Sequence, residues 1–370
     1  MAIVVGADGL NELIQLLRAD GRTVIGPRIR DGVISPEEIE HGDELPRGWT
    51  EEQHGGHYRL VPTGTDEVFA SATPARPWKR FLQPERTLLL RARRGSDGAI
   101  SIDAEPPEQP RLAFFGIRSC DLASLGILDR VLLDPNATDP TYAARRADVF
   151  IVAAACNTPA NTCFCASMDT GPTPRAGYDL SIRELPGDEA IEYLIDAGSE
   201  QGEDALAQLT SRPSEQRHTD RATEMHAGAV AAMGRELRSE DPPAAAAQPD
   251  HPRWDDVAER CLACGNCTMS CPTCFCSTTE DHTDLSATET ERWRVWDSCF
   301  TLDFTHLHGG SVRTSTKSRY RQWLLHKLVT WHDQFDTSGC VGCGRCITWC
   351  PVGIDLTAEV AAMAARQEDP

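Results

Sequence analysis

The sequence has no run of 18 or more apolar residues; its longest continuous apolar stretch is Val149 to Cys156, so no membrane-spanning helix is expected. A basic amino-terminal region is also missing: Met1 is followed by Ala-Ile-Val-Val-Gly-Ala and then Asp8, and no secretory signal is visible. No G-x-G-x-x-G follows a strand-like run, and there is no Walker A lysine loop, so neither nicotinamide nor nucleoside triphosphate binding is supported. Ser-His-Asp and H-E-x-x-H arrangements are lacking too, and no residue is assigned a catalytic role. Positive charge is scarce: 36 Lys and Arg against 56 Asp and Glu leave a formal net charge of −20. That balance argues against nucleic acid or an anionic membrane and favours a basic patch on a partner protein.

Cysteine, by contrast, is abundant, with 15 in 370 residues. The expected location is the cytoplasm, where a reducing environment makes so many cysteines better metal ligands than disulfide partners. The chain is 40% hydrophobic, enough for two domains with real cores.

The pattern predicts a mixed α+β protein: an N-terminal α/β domain (1–211), a linker (212–253), and a two-cluster ferredoxin-like domain with a helical insert (254–370). Asp8 is suited to cap a helix carrying Leu10, Leu13, Ile14 and Leu17. Short strands are predicted at 22–25 and 28–34, and stronger ones at 87–91, 112–117 and 148–155. Between the last two, Leu122, Leu125, Ile127 and Leu128 suit a buried helix over 120–133, which makes a βαβ unit. A further strand is predicted at 191–195, with helices at 202–209, 229–237 and 255–260. The Pro- and Ala-rich stretch 241–252 reads as linker. Trp323, Leu324, Leu328 and Trp331 recur at helical spacing and read as a packing face.

Two cysteine runs carry the chemistry. Cys261-x2-Cys264-x2-Cys267-x3-Cys271-Pro272 and Cys340-x2-Cys343-x2-Cys346-x3-Cys350-Pro351 have the spacing of bacterial two-cluster ferredoxins, in which the fourth cysteine of each run ligates the other cluster. Cluster 1 is therefore assigned to Cys261, Cys264, Cys267 and Cys350, and cluster 2 to Cys340, Cys343, Cys346 and Cys271. Zinc ribbons also use paired C-x2-C. The third cysteine and the following Cys-Pro, however, have no role in a four-ligand zinc site.

Seven cysteines lie outside the runs. Cys120 and Cys156 fall at the carboxyl ends of neighbouring predicted strands, the edge where open α/β sheets place ligands, and Cys163-Phe164-Cys165 follows closely. These four either hold a third [4Fe–4S] cluster, although C-x-C spacing is unusual for one, or form a set of buried or redox thiols. Arg118 and Asp121 flank Cys120, and Asp121 reads as a helix cap. Cys274, Cys276 and Cys299 occupy the insert of about 70 residues between the runs. They are either packing residues or ligands of another metal, with His306 or His308 as a fourth.

Four passages, Pro77-Trp-Lys-Arg-Phe-Leu82, Phe114 to Asp121, Cys163 to Pro172 and Arg260 to Cys276, resemble the beta subunits of sulfhydrogenases, the cytoplasmic NADP-linked [NiFe] hydrogenases. The A subunit of anaerobic sulfite reductase is similar. The resemblance runs from about Pro77 to Asp355. It implies an electron-transfer subunit that makes no bonds itself, with a flavin-containing NAD(P)H-binding subunit and [NiFe] hydrogenase subunits as partners. It also implies that the extra cysteines belong to the pattern. A redox-sensing or assembly protein is the alternative of another class.

Overall fold

The computed structural model describes residues 2–187 and 190–365. The chain opens with β1 (Ile3–Val5) and α1 (Ala7–Ala19), whose buried Leu10, Leu13, Ile14 and Leu17 form one apolar stripe. The helix N-cap is Gly6, and Asp8 lies within the first turn. Next come β2 (Thr23–Arg30) and β3 (Val33–Glu38), a hairpin of β4 (Trp49–His54) and β5 (His57–Pro62), then β6 (Arg86–Arg94) and β7 (Ile100–Ala104). The two short strands expected over 22–34 are instead one strand and a turn. Pro27 does not interrupt β2, because it pairs opposite Pro36 on the neighbouring β3.

The centre of the fold is β8 (Leu112–Arg118), α2 (Ser119–Leu132), α3 (Pro140–Arg146) and β9 (Val149–Ala154), followed by β10 (Leu180–Pro186), β11 (Ile191–Ala197), α4 (Glu200–Leu206) and the short β12 (Arg212–Pro213). An eight-stranded sheet has the order β12-β1-β11-β10-β9-β8-β2-β3. Its four middle strands, β10, β9, β8 and β2, are parallel, and antiparallel strands close both ends. Every residue of β8 is buried, as expected for a parallel strand covered on both faces. Along β9 the two faces alternate: Phe150, Val152 and Ala154 pack with α1 and α4, while Ile151 and Ala153 pack with α2. Strand β8 keeps that alternation until its register shifts between Phe115 and Ile117. Gly116 sits there at φ +79° with the Phe69 ring against it, 2.8 Å from where a Cβ would be. The bulge turns Ile117 to the α2 face and aims the end of the strand.

The stretch expected as a linker carries α5 (Gln216–Ala231) and α6 (Asp241–Ala246). Pro242 and Pro243 fit because they occupy the first turn of α6, where a missing N–H costs nothing. Ala245 is fully buried against Trp254 and Val360. The helix expected at 229–237 ends at Ala231, having begun much earlier.

After α7 (Arg253–Arg260) comes the first cysteine run with its one-turn helix α8 (Asn266–Met269), then β13 (Ser277–Thr283) and β14 (Glu289–Trp296). The insert therefore begins as a hairpin, and β14 pairs with β6 to build the antiparallel sheet β13-β14-β6-β7. Helices follow: α9 (Thr316–Leu325), a π turn over His326–Thr330 and α10 (Trp331–Phe335), then α11 (Arg345–Thr348) in the second run and α12 (Leu356–Ala364). Trp323, Leu324 and Leu328 join Trp254, Phe300, Tyr320 and Leu356 in a core around the cysteine runs.

Candidate iron–sulfur centres

The two runs have the same local build. In each, two cysteines lie on a loop that ends in a left-handed glycine, Gly265 or Gly344, both at φ +75°, and that glycine starts a one-turn helix carrying Cys267 or Cys346. The fourth cysteine, Cys271 or Cys350, follows the helix after one intervening residue. Backbone N–H groups point at sulfur: Ala263 donates to Cys261 Sγ at 3.4 Å, Gly342 to Cys340 Sγ at 3.4 Å and Ile354 to Cys350 Sγ at 3.3 Å. Cys350 shares one cavity with Cys261, Cys264 and Cys267, and Cys346 reaches the same wall. Cys271 lies among Cys340, Cys343 and Cys346, near enough for their charges to act on one another. The fourth cysteine of each run thus lies close to cysteines of the other.

Burial pushes the Cys340 thiol up to about 12 and raises those of Cys267 and Cys346, because a thiolate out of water loses its solvation. Bound iron would reverse that, since a coordinating thiol is deprotonated outright. Two donors are left without partners on the wall of the Cys261–Cys350 cavity, the buried Tyr320 hydroxyl and Trp323 Nε1. Both suit hydrogen bonding to cluster sulfur, so the residues present fit an iron–sulfur group.

The N-terminal quartet assembles at the carboxyl edge of the parallel strands. Cys120 opens α2 just after β8, Cys156 follows β9, and Cys163 and Cys165 come from the next loop; all four are buried. Cys165 acts electrostatically on Cys120, and Cys156 and Cys165 act on Cys163. Cys343 of the second run lies close to Cys120, Cys163 and Cys165 alike. The contact is direct: Phe164 N–H donates to Gly342 O at 2.8 Å, and the Cys163 thiol is 3.8 Å from Cys343 O. Gly342 is required there, because at φ +66° a Cβ would stand 2.6 Å from the Cys165 nitrogen.

Asp121 does not cap α2, whose N-cap is Arg118. Its two carboxylate oxygens each accept a 2.8 Å bond from the Arg345 guanidinium, and both side chains are almost wholly buried. The capping expectation fails because the charge is needed by a cation brought in from the second run. Arg118 donates to the carbonyls of Phe69, Ser71, Ala72 and Ala155, ordering the loop beside the quartet.

Cys274, Cys276 and Cys299 line a separate cavity together with Lys327. His306 and His308 are exposed and take no part in that wall. Lys79 and Lys327 are buried beside these cysteines. The Cys299 thiol next to it, aided by the two ammonium groups, brings Cys276 down to about 7. Sequence reasoning passed over both lysines and Arg345. The available signal was a lysine, Lys327, four residues from both Trp323 and Trp331 on an otherwise apolar stripe.

Among the described residues no helix is long and apolar enough to cross a membrane. Residues 260–354 match the 4Fe-4S dicluster domain family. Over 331 residues the chain is 30% identical to the sulfhydrogenase 2 subunit beta of Pyrococcus furiosus, an alignment that covers 86% of this chain and 93% of that protein.

Proposed function

The chain belongs to the family of sulfhydrogenase beta subunits, and from that premise we propose that it relays electrons in the cytoplasm between a flavin-bearing NAD(P)H subunit and a [NiFe] hydrogenase module. The observation that supports the reading is the closeness of the two runs, with Cys350 on one cavity wall with Cys261, Cys264 and Cys267 and with Cys271 beside Cys340, Cys343 and Cys346. In this reading Cys261, Cys264, Cys267 and Cys350 hold cluster 1, and Cys340, Cys343, Cys346 and Cys271 hold cluster 2. Cys120, Cys156, Cys163 and Cys165 hold a third [4Fe–4S] cluster. When bound, each cluster would supply one-electron storage. The chain's own contribution is placement: Cys343 borders both the second site and the quartet, which orders the path as quartet, second run, first run.

The test is composition and reduction of the native complex. Nickel and flavin should copurify with this chain, and NAD(P)H should reduce its clusters only when the flavin subunit is present. A native complex with neither nickel nor flavin overturns the assignment. For the third cluster, replacing Cys156 and Cys163 by serine should remove about four irons per chain while the dicluster signals remain. Unchanged iron would strike the quartet from the relay.

A further inference from the structure

The three cysteines left over by the runs and the quartet come together for a topological reason. Cys276 immediately precedes β13 and Cys299 closely follows β14, and the hairpin register sets Ser277 opposite Trp296. The Asp297 N–H then donates to Cys276 O at 2.9 Å. With Cys274, these cysteines form one wall of a cavity of about 360 Å³, room for roughly a dozen waters at liquid density.

Two buried cations face the same place. Lys327 is 3% exposed and donates to Cys271 Sγ at 3.3 Å, Thr273 Oγ1 at 3.1 Å and Gly339 O at 3.0 Å. Lys79, also 3% exposed, donates to Cys274 O, and its Nζ stands 4.1 Å from the Trp296 ring centroid. Lys327 already faces the Cys271 sulfur, whereas Lys79 has only a carbonyl and a ring as partners among the described residues, and a buried ammonium without an anion is expensive. Trp331, on the cavity wall, has a buried indole N–H with no partner. Three thiols, an ammonium without an anion and an orphan donor together call for an anionic, sulfur-rich group.

We propose that Cys274, Cys276 and Cys299 hold a further [4Fe–4S] cluster through three thiolates, its fourth iron facing the cavity and Lys79 and Lys327 balancing its charge. This site is additional to the relay of three clusters and stands or falls separately from it. Iron and acid-labile sulfide are measured on the anaerobically purified complex and on a C274A/C276A/C299A variant. The variant should lose about four irons per chain and keep the dicluster spectrum. Equal iron in the two proteins overturns the proposal and leaves the relay untouched, as does a Cys276–Cys299 disulfide found in the native protein.

A second readout covers a variant that fails to fold. An iron lacking a thiolate is labile, so one-electron oxidation by ferricyanide should convert [4Fe–4S]2+ into [3Fe–4S]+, releasing Fe2+ and passing the electron to the oxidant. The parent should then show the [3Fe–4S]+ EPR signal at close to one spin per chain, and C276S should not. No such signal in the parent, or an equal one in C276S, refutes the site.

Discussion

Removing the charge of Asp121 should loosen the seat of the second cysteine run more than any other single change in the N-terminal half. The Arg345 guanidinium lies between Cys343 and Cys346 in sequence, is 1% exposed, and makes two 2.8 Å bonds to Asp121 and a 2.7 Å bond to Pro74 O. Asp121→Asn keeps the shape but leaves a buried guanidinium without its anion, which costs about 3–5 kcal/mol. That corresponds to a hundredfold to several-thousandfold fall in the folded-to-unfolded ratio, at about 1.4 kcal/mol per factor of ten. The cost arises from an orphaned charge and not from a lost attraction, so a paired replacement, Asp121→Leu with Arg345→Met, should recover most of it. The assay is anaerobic denaturation followed in parallel by the visible absorbance of the clusters and by far-ultraviolet circular dichroism. Asp121→Asn should bleach at lower denaturant, with the double variant restored towards the parent. A midpoint unchanged by Asp121→Asn would refute the clamp. A double variant no better than the single would refute the orphaned-charge account.

Three further outcomes follow from other contacts. Gly342→Ala at φ +66° drives a Cβ to 2.6 Å from the Cys165 nitrogen and should reduce iron content, whereas Gly126→Ala inside α2, with nothing within 4 Å, should stabilise by about 0.5–1 kcal/mol; metal analysis and melting compare the two. Lys327→Met removes a donor 3.3 Å from Cys271 Sγ and should lower the potential of the second-run cluster, by at most about 65–130 mV, in an EPR-monitored titration, since positive charge favours the reduced state and a charge-assisted bond contributes about 1.5–3 kcal/mol. Glu51 accepts from Ala72 N–H at 2.6 Å with Oε2 buried and unpartnered, and burial lifts its carboxyl to about 7. The folded state therefore holds a proton that the unfolded state releases near 4.5, so its contribution to stability is complete below that value and lost as pH rises through about 7. Glu51→Gln should gain about 1 kcal/mol on the parent between pH 6 and pH 8, and parallel stability-versus-pH curves would contradict this.

What could be read from the sequence was whatever has local cause. The β8–α2–β9 unit is legible because parallel strands buried on both faces appear as continuous apolar runs, Leu112 to Ile117 and Val149 to Ala154. The stripe of α1 is legible by its period. The hairpin β4–β5 is not, since Trp49-Thr-Glu-Glu-Gln-His54 is mostly polar and only Gln53 is fully buried, where it accepts from Thr348 Oγ1 at 2.9 Å. Pairing of β6 with β14 across the first cysteine run is likewise invisible to any local window. Asp121 shows the limit within one residue: an aspartate opening a helix suggests a cap, and only a partner 224 residues away gives it another role. Lys79 and Lys327 escaped notice because an apolar stripe leads one to assume that a long polar side chain reaches solvent, and here the helix face that carries Lys327 is turned wholly inward.

These long-range contacts also explain why the sheet and the cysteine runs work as one body. The second run is held against the N-terminal half by main chain at Phe164–Gly342, by charge at Asp121–Arg345, and by hydroxyl at Thr162–Thr348 and Gln53–Thr348. Backbone approach is close enough at Gly342 and Gly344 that neither tolerates a Cβ. Such a seam cannot slide without breaking several buried bonds at once, so the spacing between Cys343 and the quartet is fixed by the fold. The first run faces outward instead. Cys264 is the one exposed cysteine of the described residues, and Leu262 and Val352 are exposed beside it. The same repeated loop is used twice, one copy buried against the N-terminal half and the other left at the surface.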